Sequence, residues 1–358
     1  GPRGNFTLRI AGKKVPWQLD TDNIVSGQEF HNLKQLLLTN NIADPAMIGE
    51  KVAYDLLEFA GSPASHVAFV EVYIDLVDKA GDPEYWGVYS LVERVDSKYI
   101  RNRFGSDASG GTLYKTNHYK QGAGDLVYYG PTLDYYPQPH DVPLYDLRTD
   151  DAPDDYADLI DFLWVVDGQT YESPENWAQG VEAVFDMDGF LRWMAVQSAI
   201  MSWDIYPYTG NNYYLYHDPN ADTWYWLPWD MTWGESVEAP LFSVSNEFPR
   251  LLTRAPLYDQ MLNVPRYRQA LAAYLDLLTR TEFNRTSMAE RVNTYCSSIE
   301  PSILKGDPVY TLDPEKQSIE SFRAACQNLI ELTDSRSQFI RRTLQQQPQL
   351  YLWTPETR

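Results

Sequence analysis

Alternating apolar and polar positions open the chain. Leu8-Arg9-Ile10 and Val15-Pro16-Trp17 follow a period of two and lead into the apolar run Leu36-Leu37-Leu38, which predicts strands over the first 40 residues. The period then changes. Asp44 offers an N-cap with Pro45 at the first helical position, and Met47, Ile48, Val52, Leu56 and Phe59 recur at helical spacing until Gly61 stops the run. A helix with one buried face is predicted there. After Pro63, Val67 to Leu76 alternates as a strand and Glu84 to Val92 does so again, across a turn marked by Gly81, Asp82 and Pro83, so a β-hairpin is expected.

Residues 106 to 155 are rich in Gly, Pro, Tyr and Asp, carry little periodicity and read as an irregular insertion. Beyond them the pattern turns helical. Asp155 to Val166 and Met187 to Met201 have helical apolar spacing, and the second delivers the chain to Ser202-Trp203-Asp204. From residue 255 onward helices dominate, including Ile319 to Leu344, with neither an internal repeat nor a heptad run. The expected division is 1–100 and 101–358, with the hinge-like Leu91-Val92-Glu93-Arg94-Val95-Asp96 near the boundary.

The block most informative about chemistry runs from Trp203-Asp204 through Asn211-Asn212-Tyr213-Tyr214-Leu215-Tyr216 to Trp224-Tyr225-Trp226-Leu227-Pro228-Trp229-Asp230. A helix ending in an aspartate, an asparagine a few residues on, then a hairpin ending in a second aspartate has the layout of a kinase catalytic loop and metal-binding segment. Phosphoryl transfer asks for a group that orients a hydroxyl and for oxygen ligands that hold a divalent cation against phosphates. On spacing alone, Asp and Asn serve equally as helix caps and turn residues.

Composition limits the alternatives. The chain has 358 residues, 44% of them hydrophobic, enough for one large core or two moderate ones. Fifty acidic against 29 basic side chains give a formal charge of -21, which disfavours nucleic acid and anionic membranes as partners. It would also repel ATP, so a nucleotide site here must rely on a divalent metal and a locally basic pocket. No run reaches the roughly 18 apolar residues of a membrane span. The opening GPRGNF lacks the apolar core of a signal peptide, and Gly1-Pro2 reads as a scar of tag removal, so the start says nothing about location. Cys296 and Cys326 are the two cysteines, and either a disulfide or two buried thiols on neighbouring helices accounts for them. Sequons stand at Asn5-Phe6-Thr7 and Asn284-Arg285-Thr286.

Other constellations give nothing. His31, His66, His118, His140 and His217 show no pair at zinc spacing, and there is no CxxC and no GxSxG. Asp218 and Asp222 flank a turn. Asp150, Asp151, Asp154, Asp155 and Asp158 read as a solvated run and helix cap, with calcium binding as the alternative.

Four stretches in combination resemble the CotH kinase family, over about residues 30 to 345. They are Asp44-Pro45-Ala46-Met47 leading to Glu50-Lys51-Val52-Ala53-Tyr54; Val70-Glu71-Val72-Tyr73 with Tyr85-Trp86-Gly87-Val88-Tyr89-Ser90-Leu91-Val92-Glu93; Leu113-Tyr114-Lys115; and Asp204, Asn212-Tyr213-Tyr214-Leu215-Tyr216 and Pro228-Trp229-Asp230. The closing stretch from Ile299-Glu300-Pro301 to Arg336 and Ile340 is similar to the family's C-terminal helices. The resemblance implies an α+β, atypical protein-kinase-like fold of two lobes, with a small mixed N-lobe of a sheet and one helix and a mostly helical C-lobe. It implies ATP and Mg²⁺ or Mn²⁺ as cofactors, a protein hydroxyl as acceptor, and a secreted or cell-surface location. Asp204 takes the catalytic position and Asp230 and Asn212 the metal positions. Nucleotide contacts fall to Lys34, Glu50, Lys51, Glu93 and Lys115, with Lys34 and Glu50 as a candidate ion pair and Glu93 either supporting the nucleotide or capping the lobe junction.

The sequence departs from the family pattern in three places. Thr232 stands where a second acidic residue is usual, Gly49 where an arginine is frequent, and no GxGxxG precedes the helix, since Gly12 and Gly27 are isolated. Two other readings follow. One is a CotH-like surface adhesin with weak or no catalysis. The other is a protein acting on carbohydrate or another small molecule, suggested by 11 Trp and 26 Tyr whose rings can stack on sugars.

Overall fold

The computed structural model describes residues 14–31, 33–75, 81–119, 122–137, 143–149, 156–241, 252–307 and 319–346. Leu8-Arg9-Ile10, the first sequon, Gly12, His140 and Asp150 to Asp155 lie outside them. The described chain is α+β and divides into two compact units. One comprises Gly1–Asp55, Ser65–Val95 and Phe283–Ser335, the other Leu56–Ala64, Asp96–Glu282 and Arg336–Arg358. The units therefore interleave in sequence, and the helical stretch after Phe283 joins the N-terminal strands.

The first unit is built on an antiparallel sheet of β1 (Trp17–Asp20), β2 (Gln35–Thr39), β3 (Val67–Ile74) and β4 (Glu84–Glu93), in the order β1-β2-β4-β3. β4 is central, and its Val88, Tyr89 and Val92 are buried. Helix α1 (Gly49–Phe59) starts later than the Asp44 cap predicts. Met47 adopts a left-handed φ of 57°, so the chain makes a separate turn first. The Asp44 carboxylate bridges that turn, accepting the N–H groups of Ala46 at 3.0 Å and Gly49 at 2.6 Å. Helix α8 (Arg285–Ile303) follows Asn284, whose side chain caps it through the N–H groups of Thr286 and Ser287, so the sequon asparagine has a structural role. A disulfide joins Cys296 of α8 to Cys326 of α9 (Ile319–Gln345).

One ion pair of this unit has no sequence signature. Lys14 and Asp307 are both withdrawn from solvent, 2.9 Å apart, and Asp307 also accepts the Val88 N–H at 2.5 Å. Gly87, at φ 103°, leaves the carboxylate its place, because a Cβ there would collide with it.

The second unit holds helix α2 (Ser97–Phe104) and a second antiparallel sheet. Its strands are β5 (Thr112–Thr116), β8 (Tyr145–Leu147), β9 (Tyr213–Asp218) and β10 (Thr223–Pro228), in the order β10-β9-β5-β8. A small ladder pairs β6 (His118–Tyr119) with β7 (Gly122–Ala123). Two of the sheet's four strands thus come from the segment expected to be irregular. β5 has only five residues, three of them buried on both faces, so no clean alternation marks it. Asp158 is no solvated residue: it accepts the hydroxyl of Tyr114 at 2.7 Å and that of Thr112, beside His217 at 3.5 Å. Helices α3 (Ala157–Leu163), α4 (Pro174–Glu182), α5 (Met187–Ala199), α6 (Pro256–Met261) and α7 (Pro265–Thr281) complete the unit. Phe190 and Trp193 of α5 meet Trp226 of β10 at ring separations of 4.9 and 4.7 Å, and Trp226 stacks on Tyr213 of β9 at 3.9 Å. These rings fasten α5 to the hairpin.

Candidate active site

Asp204, Asn212, Asp230 and Lys115 all belong to the second unit. Helix α5 begins at Asp186, which accepts the Gly189 N–H at 3.1 Å, and ends where Met201 turns left-handed at φ 58°. Ser202 N–H closes the end on the Gln197 carbonyl at 3.0 Å. Two residues later comes Asp204. The chain then folds tightly, with Tyr208 and Thr209 N–H groups both on the Ile205 carbonyl at 2.7 and 2.8 Å.

Asn212 leads into β9 with a left-handed φ of 62° and is buried. Its Nδ2 donates to the main-chain oxygen of Asp204 at 2.7 Å. Only the amide nitrogen can donate to a carbonyl, so this bond sets the orientation of the carboxamide and leaves Oδ1 as its acceptor atom. Asp230 follows β10, is exposed, and is also left-handed, at φ 53°. Asn and Asp tolerate this region better than other residues with a Cβ, and such conformations gather at functional sites.

Two further bonds hold the Asp230 segment against the end of α5. Gly234 N–H donates to the Ile200 carbonyl at 3.0 Å, and Gln197 Nε2 donates to Met231 Sδ at 3.1 Å. A Cβ on Gly234 would collide with the Met201 carbonyl, so the two backbones pass at a distance only glycine permits.

Lys115 lies on β5 opposite Tyr214 of β9. Its ammonium stands 6.0 Å from the Tyr214 ring and 5.9 Å from that of Trp229, the neighbour of Asp230. The other expected nucleotide contacts are in the first unit. Lys34 is exposed and pairs with Asp22 at 2.9 Å. Lys51 pairs with Asp55 one helical turn away and stands 5.2 Å over the Tyr295 ring. Glu50 opens α1, and buried Glu93 ends β4, where it accepts the His66 N–H at 3.1 Å.

A residue the sequence did not single out sits beside the Asn212 turn. Gly124 N–H donates to the Gly210 carbonyl at 2.9 Å, which sets the next residue, Asp125, near that turn. The Asp125 carboxylate accepts the Val127 N–H at 3.1 Å and the Tyr129 hydroxyl at 2.6 Å, and burial pushes its pKa up to about 6.

Two carboxylates and a carboxamide are hard oxygen donors of the kind that binds Mg²⁺ or Mn²⁺ together with phosphate oxygens. Among the described residues no three His, Cys, Asp or Glu side chains cluster as a ready-made cation cage, and no helix is long and apolar enough to cross a membrane.

The chain is 23% identical to Invasin CotH3 of Rhizopus delemar over 304 residues, covering 80% of this chain and 47% of that one. Against Invasin CotH2 of the same fungus it is 23% identical over 341 residues, covering 91% and 54%. The chain thus spans about half the length of these curated relatives. A looser likeness, with a TM-score of 0.33 and 12% identity over 84% of this chain and 57% of the other, links it to the Shewanella oneidensis MR-1 toxin-antitoxin complex of HipA, HipB and operator DNA. The family model described as CotH kinase protein matches residues 2–340, and the chain belongs to that family.

Proposed function

We propose that the protein is an ATP-dependent phosphotransferase that uses Mg²⁺ or Mn²⁺ and delivers the γ-phosphoryl group to a protein hydroxyl, Ser or Thr. The observation that carries this reading is the bond from Asn212 Nδ2 to the Asp204 main chain, which couples the candidate catalytic loop to the candidate metal ligand. In this reading Asp204 orients the acceptor hydroxyl and receives its hydrogen bond. Asn212 Oδ1 and the Asp230 carboxylate hold the cation, which when bound neutralises phosphate oxygens. Lys115 is the favoured phosphate contact on the Asp204 side. Lys34, Glu50, Lys51 and Glu93 are likewise assigned to the nucleotide, with Lys34 and Lys51 paired to Asp22 and Asp55. A secreted or cell-surface setting is part of the proposal, supported by the disulfide and by the invasin names of the relatives.

The test is incubation with γ-labelled ATP, either metal and a panel of protein acceptors, wild type against Asp204→Ala. Label transfer or ATP turnover should fall at least 100-fold in the variant, since a positioned carboxylate contributes roughly 10²–10⁴. Equal turnover in both proteins removes Asp204 from the mechanism. Thr232 and the relatives' names favour a second reading, a surface binding protein without catalysis. A thermal shift with ATP and Mn²⁺ that disappears in Asp230→Asn, a replacement that suits the left-handed backbone, would exclude a binding protein with no nucleotide site.

A further inference from the structure

Arg336 has the largest charged side chain among the fully buried described residues, with 0% of its surface exposed. It lies on the stripe of α9 that Phe322, Cys326, Ile330, Ile340 and Leu344 bury, a place where an apolar residue would cost nothing to desolvate. No ion pair compensates it among the described residues. Its guanidinium donates from Nη1 to the carbonyls of Val237 at 2.7 Å and Ala239 at 2.6 Å, and from Nη2 to the carbonyl of Ser198 at 2.7 Å. Burial holds its pKa below the usual arginine range, at about 10.

The three acceptors belong to two segments that matter. Ser198 is in the last turn of α5, where the helix dipole presents its negative end; its carbonyl also accepts the Met201 N–H at 3.4 Å. Six residues on is Asp204. Val237 and Ala239 follow Asp230 on the segment that Gly234 holds against Ile200. One planar fork therefore grips the end of the helix that leads into Asp204 and the strand of chain that leads out of Asp230. A cavity of about 40 Å³ lies at the same place, lined by Arg336, Gln197, Ser202 and Trp203. Arg336 Nε, Ser202 Oγ and Gln197 Oε1 are buried with no partner among the described residues, and the volume suits one or two waters.

We propose that Arg336 is a positioning residue of the phosphotransferase site, setting the Asp204 loop and the Asp230 segment at one mutual distance. The proposal rests on the phosphotransferase reading. Lysine cannot replace it fully, because an ammonium is a point charge that does not reproduce a three-carbonyl fork. Arg336→Met should lower kcat at least tenfold while the KM for ATP changes less than threefold, and Arg336→Lys should fall between Met and wild type. All three are assayed at least 15 °C below the lowest Tm. Amide hydrogen exchange supplies the arm that does not need turnover. In Arg336→Met, or in Arg336→Lys if the methionine variant does not fold, residues 199–204 and 231–239 should exchange at least tenfold faster while β9 and α7 keep their protection. Exchange that is unchanged in those two segments, or raised uniformly across the unit, overturns the proposal, as does a kcat equal to wild type. A wild-type protein that never turns over ATP overturns the phosphotransferase reading instead, and exchange alone then decides whether Arg336 is a clamp.

Discussion

At Asn212 the backbone and the side chain ask for different things. A left-handed φ of 62° is easiest for glycine, whereas the bond to the Asp204 carbonyl needs a carboxamide. Asn212→Gly relaxes the backbone and loses a hydrogen bond worth about 1 kcal/mol, so its Tm should stay within a few degrees of wild type. Its ATP affinity in the presence of Mn²⁺, read by calorimetry, should nonetheless drop at least tenfold. An unchanged affinity would remove Asn212 from the ligand set. Asp125 makes the opposite case, since its pKa is raised to about 6 by burial, with the Asp167 charge adding to the rise. A raised carboxylate supports the fold fully below its unfolded pKa and loses that support as pH rises through about 6. Asp125→Asn, whose Oδ1 still accepts the Val127 N–H while its Nδ2 can donate to the Tyr129 hydroxyl oxygen, should therefore stabilise the protein at pH 8 by roughly 1–3 kcal/mol. Near pH 3 it should change nothing. Chemical denaturation at the two pH values measures the difference, and an equal effect at both would show that ionisation is not the cause.

The elements differ in how far local pattern reveals them. α5 and the β9–β10 hairpin were readable because thirteen helical positions and two six-residue aromatic strands repeat their period long enough to stand out. Asp204, Asn212 and Asp230 flank those elements, so the sequence places them there, while the roles assigned to them follow from the family resemblance and are part of the proposal. β5 and β8 were not, being five and three residues long and paired with partners far along the chain. The return of residues 283–335 to the first unit was equally hidden, since contacts such as the Tyr85 hydroxyl on the Ser302 carbonyl at 2.8 Å cross 217 positions. Arg336 left one trace, a charge on the mostly apolar buried stripe of a long helix that also takes in Thr333 and Ser337, and its meaning needed the carbonyls of two other segments. The disulfide between α8 and α9 closes a loop of 30 residues, for which chain entropy gives about 3–4 kcal/mol. Reduction, or Cys296→Ser with Cys326→Ser, should lower stability by that order in denaturant titrations. No change on reduction would mean that the thiols do not pair in solution.

For the whole molecule, the charge of -21 sets the sign of a salt effect. A basic cleft attracts ATP, and salt screens the attraction, so binding weakens as ionic strength rises. Here the far field repels a nucleotide that still carries net negative charge with its metal bound. The local cations, Lys115 beside Trp229, Lys34 beside Asp22 and Lys51 beside Asp55, stand among aromatic or acidic neighbours rather than in a basic patch. Screening should then relieve repulsion. On the proposed reading, in which a cation at Asn212 and Asp230 offsets the field at the phosphates, the association rate of the metal–ATP complex should rise severalfold between about 0.02 and 0.3 M monovalent salt, while binding without divalent metal stays weak throughout. Stopped-flow fluorescence of a labelled nucleotide reads both quantities. A rate that falls steeply with salt, or metal-free ATP that binds as well as the complex, would mean that clustered lysines and not the oxygen ligands hold the phosphates.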